Sequence, residues 1–534
     1  MKIVIAEKVS AATLAVFASE PSFNVVTHDQ IKNGLAAEVA DADALIVRSA
    51  VQADAALMEA APKLRVIGRA GVGVDNIDAD AATRHGIVVM NTPGANAIAV
   101  AELTLGVMLA LARSIPRANA TMHGGKWEKK SLQGAELRGK TMGILGLGRI
   151  GLEVARRART FGMEVVGHDP FVSQAVAREN EVQLLSMDDL FARADYLSLH
   201  VGLTKQTEGI INADSLKKLK KGVRIINCAR GELIVDAALA EALKSGHVAG
   251  AALDVFREEP LKDSAYFDLD NVVLTPHIAG STAEAQEAVG VQIAMQVKEY
   301  LKSGVVQNAV NVASMTHEEY AELSPYITMA ERLGAFLANA SQAAAESIHF
   351  SYLGRLAEAK TQMVRNGAIA GVLAQSESVN RINAASVAEE RGIRLHEERK
   401  EAGYRGAGSI LKMAIHTQAG THSASATVLH GAQPRLLAYD GIDIEAPLQG
   451  TLICIRNRDV PGVIGRVGTV LGDMGVNIAN FALGRGNGTS GSSGQALAVI
   501  QVDAKQALLT AQMLDALRAI DAVTEVRLVE LPTP

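Results

Sequence analysis

"TMGILGLGRIGLEVARRARTFGMEVVGHD", residues 141–169, decides the fold. An apolar strand, Met142 to Leu145, runs into Gly146, Gly148 and Gly151 as GxGxxG, an amphipathic helix follows, and the next strand ends at Asp169. Glycines at these positions permit a tight turn and let backbone N–H groups and a helix N-terminus approach a pyrophosphate, while the carboxylate accepts bonds from ribose hydroxyls. GxGxxG alone is weak; here strand, helix and an acidic residue 18 positions past the last glycine agree. Asp169 repels a 2′-phosphate, and "GHDPFVS" offers no arginine to receive one, so NAD is favoured over NADP.

Outward from this unit the same grammar repeats. From residue 1 to about 300, runs such as "KIVIAEK", "ALIVRS", "RVIGRAG", "IVVMNT", "YLSLHV", "RIINCA" and "AGAALDV" alternate with helical patterns. Continuous apolar strands separated by helices predict parallel sheets covered on both faces. There are too many strands for one sheet, and a long apolar helix from 98 to near Met122 divides them into two doubly wound α/β domains, with a helix from Thr282 to Lys302 returning to the first. The cleft between them is the expected site. Beyond Gly304 comes an α+β region introduced by the amphipathic "SPYITMAERLGAFLANA". A final βαββ-type α+β module opens with "GTLICIRNRDVPGVIGRVG", and "GRGNGTSGSSG", 484–494, reads as a flexible loop. The expected domains are 1–97 with 283–312, then 98–282, 315–450 and 451–534.

Composition narrows the class. The chain of 534 residues, 48% hydrophobic, exceeds what one core usually serves. A net charge of −6 without long like-charge blocks argues against nucleic acid or an anionic membrane as main partner. Two distant cysteines, Cys228 and Cys454, and no ligand-spaced histidines argue against a disulfide framework or a metal site. No signal peptide is visible, and a cytoplasmic location is expected. The stretch 98–112 is shorter than the roughly 20 residues of a bilayer span and carries Glu102, so it reads as a buried helix.

Arg230 stands in the turn of "RIINCARGELIVDAALAEAL", Glu259 in "LDVFREEP" and His277 in "LTPHIAGST". Singly, each has an ordinary reading as a helix-terminus ion pair, an exposed acid and a loop histidine. In this order after GxGxxG, together with "LIVRSAV", "VIGRAGVGVDNID", "GIVVMNTPGANAIAVAELTLG" and "GKWEKK", they resemble the D-2-hydroxyacid dehydrogenase family. The match is nearest to its D-3-phosphoglycerate dehydrogenase branch, in the long form with an intervening domain and a C-terminal ACT domain.

The resemblance implies that Arg230 binds the substrate carboxylate and C2 oxygen, His277 exchanges the C2 hydroxyl proton, and Glu259 orients the imidazole and favours its charged form. Arg48, and less firmly Arg69, would take the phosphate of 3-phosphoglycerate, with the loop of Val72 and Gly73 holding the carboxylate. Trp127 would pack across a dimer so that Lys129 reaches the neighbouring site. Around NAD the resemblance adds Arg149 and Ile150 at the pyrophosphate, Thr207 by the adenosine half, Cys228 and Ala229 by the nicotinamide, and Asp254 near its carboxamide. Gly202 stands where the family usually has proline, which puts the rigidity of that loop in question. In the ACT-like tail, Asn457, Asp459 and Asn477 would bind L-serine as effector in a cleft between two paired modules of a homodimer or homotetramer; ordinary turn chemistry explains the same residues. Two other functions remain open: a dehydrogenase or reductase for another 2-hydroxy acid, with 2-oxoglutarate as a side substrate, and a non-catalytic NAD-sensing protein of the same fold.

Overall fold

The computed structural model describes residues 1–341, 344–374, 379–400, 408–486, 494–503 and 511–532. Most of the Gly/Ser-rich loop, 487–493, lies outside them.

The first sheet is parallel, in the order Asn24–Thr27, Lys2–Ile5, Ala44–Val47, Val66–Arg69, Val88–Met90. Its central strands are buried, as their unbroken apolar runs require. Helix Ala283–Ser303, capped by Thr282, returns to pack here: a Cβ at Gly68 would lie 2.7 Å from Ile293 Cγ1 and 2.9 Å from Val297 Cγ2. Glycine at that point brings helix and strand together.

The second sheet has seven parallel strands, ordered Val272–Leu274, Val248–Leu253, Val223–Asn227, Tyr196–Leu199, Thr141–Leu145, Glu164–His168, Gln183–Leu184. Chain order reverses between Tyr196–Leu199 and Thr141–Leu145, so the glycine loop leaves the sheet at its switch point.

The helix between the two sheets is where the sequence expectation needs correction. Instead of running to Met122 it breaks into Ala97–Ala112 and Ile115–His123, bent by 64°. Pro116 carries no N–H for Ala112 O, Ser114 turns left-handed at φ +51°, and the N–H of Ala135 takes the released carbonyl at 2.9 Å. Among the described residues no single helix is long and apolar enough to cross a membrane.

The third sheet, Arg394–Lys400, Ala345–Gly354, Ser409–Thr417, Gly420–Leu429, Gln433–Tyr439, Ile442–Pro447, is antiparallel except for its first pair. Helices His317–Ser341 and Gln362–Val372 cover it, crossing so closely that a Cβ at Gly334 would lie 2.0 Å from Ala368 O. It docks on the first unit through Asn380 Nδ2 to Gly86 O, 3.1 Å, and Asn383 Nδ2 to Arg84 O, 3.0 Å. The last module extends the expected βαββ to βαββαβ, with sheet order Ile478–Arg485, Gln495–Val502, Thr451–Arg458, Val523–Glu530 and helices Val463–Asp473 and Ala511–Arg518. Asp440 of the third sheet and Glu525 of the fourth both pair with Arg456, at 2.6 and 3.4 Å.

Candidate active site

The three glycines of the 146–151 loop have three separate causes. Gly146 sits at φ +95°, and a Cβ there would come within 2.7 Å of the His200 carbonyl carbon. Gly151 packs helix on strand, since its Cβ would lie 2.1 Å from Gly146 O. Gly148, the N-cap of helix Arg149–Thr160, faces open space. This loop therefore leaves room beside a helix N-terminus, the arrangement a pyrophosphate needs. Asp169 accepts from Leu147 N–H, 2.8 Å, and Phe171 N–H, 2.9 Å, tying the second strand's end to the glycine loop. The donor set fits a dinucleotide.

Arg149 reaches across the cleft to Pro93 O, and Ile150 packs at the edge of the core beneath the loop. Thr207 Oγ1 donates to Gly202 O at 2.6 Å and accepts from Thr204 N–H at 2.8 Å. These bonds brace the loop that lacks the family's proline. Cys228 is buried and its thiol is pushed up to about 12 by burial, so it forms wall and not nucleophile. Ala229 N–H donates to Asn227 Oδ1, 3.0 Å.

Arg230, Glu259 and His277 come from loops after three neighbouring strands, Val223–Asn227, Val248–Leu253 and Val272–Leu274. His277 Nδ1 lies 2.6 Å from Glu259 Oε2, while Glu259 Oε1 accepts from Phe256 N–H, 3.0 Å. Gly231 lets the Arg230 loop press on the same segment, because a Cβ there would lie 2.0 Å from Phe256 C. His277 adopts φ +52°, held by its N–H to Asp254 O, 2.8 Å. Asp254 is fully buried, and its carboxylate accepts from Thr275 Oγ1, Ile278 N–H and Ala279 N–H at 2.5, 3.0 and 2.9 Å. In this conformation that carboxylate fastens the histidine turn.

A cationic patch faces this group from the first sheet. Arg48 donates through Nη1 to Lys8 O, 3.0 Å, and through Nη2 to Gln286 Oε1. Gln286 in turn donates to Gly280 O, 2.7 Å, so Arg48 is linked to the segment that follows His277. Arg69 has a buried Nε with no hydrogen-bond partner, and burial, then Arg230 and Arg48, lower its hold on the proton against Asp75 and Glu7. Val72 O accepts from Asn91 Nδ2 at 2.5 Å, and Gly73 lies so close to Arg230 that a Cβ would stand 1.6 Å from Nη2. Sequence reasoning missed Asp75, which accepts from Arg230 Nε at 2.8 Å; Asn227, whose Nδ2 donates to Arg230 O at 2.8 Å; and Gln286. Asp75 was visible in "GVGVDNID", but nothing in its spacing points at an arginine 155 positions away.

The remaining predicted residues lie elsewhere. Trp127 is 81% exposed in the single chain and Lys129 is exposed beside it. Asn457 is buried and donates to Arg458 O at 2.7 Å, and Asp459 pairs with Arg485 at 3.4 Å. Asn477 is not with them. Asn457 stands opposite Ala496 and Ile478 opposite Val502, which puts Asn477 at the other end of the sheet, about 20 Å away at ~3.4 Å per residue. One chain alone does not assemble this trio.

Residues 105–279 match the D-isomer specific 2-hydroxyacid dehydrogenase NAD-binding domain, and residues 322–440 the D-3-phosphoglycerate dehydrogenase intervening domain. The D-3-phosphoglycerate dehydrogenase of Archaeoglobus fulgidus is 39% identical over 534 residues, 99% of this chain and 100% of that protein. The chain belongs to the D-3-phosphoglycerate dehydrogenase family. Relatives of that name from Methanocaldococcus jannaschii, 42% identical over 85% of this chain and 87% of that one, and from Bacillus subtilis, 38% over 92% of both, extend the match. Among solved structures, a Thermus thermophilus protein aligns with TM-score 0.53 at 34% identity, covering 58% of this chain and all of its own. A Staphylococcus aureus NAD-dependent formate dehydrogenase in complex with NAD gives TM-score 0.53 at 28% identity, over 59% of this chain and 100% of that one. As a member of the D-3-phosphoglycerate dehydrogenase family, the protein is an oxidoreductase of the 2-hydroxyacid class that uses NAD.

Proposed function

We propose that the protein oxidises 3-phospho-D-glycerate at C2 to 3-phosphohydroxypyruvate, the first step of serine biosynthesis. The observation that carries this reading is the clustering of Arg69 with Arg230 and Arg48, whose positive charges add to burial in lowering Arg69's hold on its proton. Three guanidiniums drawn together against two carboxylates suit a ligand bearing both a phosphate and a carboxylate. Arg48 and Arg69 bind the phosphate; Arg230 and the backbone at Val72 and Gly73 bind the carboxylate and C2 oxygen.

Glu259 engages Nδ1 of His277, which assigns proton transfer from the C2 hydroxyl to Nε2. Asp254 holds the histidine turn, and Asn227 the turn of Arg230. Gly146, Gly148, Gly151, Arg149 and Ile150 line the place for the pyrophosphate, Asp169 and Thr207 the adenosine half, and Cys228 with Ala229 the nicotinamide end. Bound NAD supplies the hydride acceptor. The domain limits 1–97 with 283–312, 98–282, 315–450 and 451–534 belong to the same reading, and so does L-serine as effector, at Asn457 and Asp459 of one C-terminal module with Asn477 from a second copy.

Steady-state rates with NAD and either 3-phosphoglycerate or glycerate test the substrate. A large preference in kcat/KM for the phosphorylated acid is expected. Equal use of both overturns the phosphate assignment, and loss of neither rate in Arg230→Ala overturns the carboxylate assignment.

A further inference from the structure

The cleft holds one carboxylate that neither anion binding nor proton transfer explains. Asp75 leaves the strand Val66–Arg69 two residues past Gly73, on the first domain, and its Oδ2 accepts from Nε of Arg230, on the second, at 2.8 Å. An acid beside an anion-binding arginine should weaken binding by repulsion, so its presence calls for a reason.

Donor accounting supplies one. A guanidinium carries five N–H groups in a rigid fork. Asp75 takes the one on Nε, and Ala229 O takes one on Nη1 at 2.6 Å. Asn227 holds the backbone of the same residue through Arg230 O, and Gly73 closes against Nη2. Three N–H groups, one on Nη1 and two on Nη2, remain after these two bonds. Asp75 also opposes the mutual repulsion of Arg69 and Arg230, while Glu7 is committed to the N–H groups of Arg48 and Val51, at 2.7 and 3.2 Å.

We propose that Asp75 is a positioning residue for the dehydrogenation: from across the cleft it orients Arg230 so that the Nη edge meets the carboxylate and C2 oxygen of the 2-hydroxy acid. Because donor and acceptor come from different domains, this orientation exists only when the domains stand in this juxtaposition. The inference rests on the reading of Arg230 as the substrate's carboxylate ligand.

Arg230→Ala, Asp75→Ala and Asp75→Asn, assayed as full-length protein, separate the two ideas. Asp75→Ala should lose about 10²-fold in kcat/KM, more through kcat than KM, with NAD affinity by calorimetry and Tm unchanged. Asp75→Asn, whose Oδ1 still accepts from Nε, should recover about tenfold of that loss. Wild-type kcat/KM in Arg230→Ala sinks the underlying assignment. A crippled Arg230→Ala beside an Asp75→Ala with unchanged or improved kcat/KM sinks the positioning role alone. So does a loss in Asp75→Ala matched by falls in Tm and NAD affinity.

Discussion

Arg48 and His200 show what single side chains contribute at either side of the cleft. Arg48 keeps its backbone N–H on Glu7, so truncating its side chain removes a charge without undoing that turn. Arg48→Ala should raise KM for 3-phosphoglycerate far more than for an unphosphorylated 2-hydroxy acid, by about 1.5–3 kcal/mol, or roughly tenfold to a hundredfold. Equal losses on both acids reject the assignment. His200 is a different case: its backbone presses on Gly146 and its Nε2 meets Ser198 Oγ at 2.8 Å. Burial drives its pKa down to about 4, against about 6.5 when unfolded. Between those values the unfolded chain binds the extra proton, so this histidine costs nothing above about pH 6.5 and destabilises the fold increasingly as pH falls toward 4. His200→Gln should therefore lose less Tm than the wild type between pH 7 and pH 5. An equal drop in both proteins would remove His200 as the cause.

At the scale of elements, the glycine loop separates folding from ligand approach. Gly151→Ala pushes a Cβ into the Gly146 carbonyl and should lower Tm, whereas Gly148 has ordinary φ and open space, so Gly148→Ala should keep Tm and lose NAD affinity. Calorimetry and thermal unfolding of both variants decide this, and an unchanged NAD affinity in Gly148→Ala would place the pyrophosphate elsewhere. This loop was legible in advance because a turn, a helix start and a close approach each demand glycine locally. The break at Ser114 was not, although Pro116 stood in plain view. Apolar spacing continues across it, and what makes the bend stable is Ala135 collecting Ala112 O, a partner from 23 positions on.

The whole molecule sets the terms for regulation. Asn457 and Asp459 lie at one end of the C-terminal sheet and Asn477 at the other, so a serine site using all three needs two copies of the module. Asp459→Ala should abolish inhibition by millimolar serine while turnover without serine stays near wild type, a coupling of about 1–3 kcal/mol removed. Persistent inhibition in that variant places the effector elsewhere. The tail is joined to the third sheet by the Arg456 pair with Asp440, and that unit is joined to the first by the asparagine contacts on Arg84 and Gly86. Asn383 is fully buried there, and Asn383→Ala should cost about 1–3 kcal/mol of stability, read as a lowered Tm.

The sequence by itself determined the alternating strands and helices, the two parallel sheets, the dinucleotide loop and the candidate reacting trio. The first three follow from periodicity or from short spacings along the chain, whereas the trio of Arg230, Glu259 and His277 was legible only through the resemblance of its motifs to a known family. Tertiary structure alone decided that Asp75 meets Arg230, that Gln286 joins Arg48 to the turn after His277, that Asp254 turns inward, and that Asn477 stands apart from Asp459. The first two pairs span 155 and 238 positions. Apolar side chains announce their face by a repeat of two or of 3.6, but a polar side chain's partner is whichever group packing happens to bring within about 3 Å, and that choice leaves no period to read.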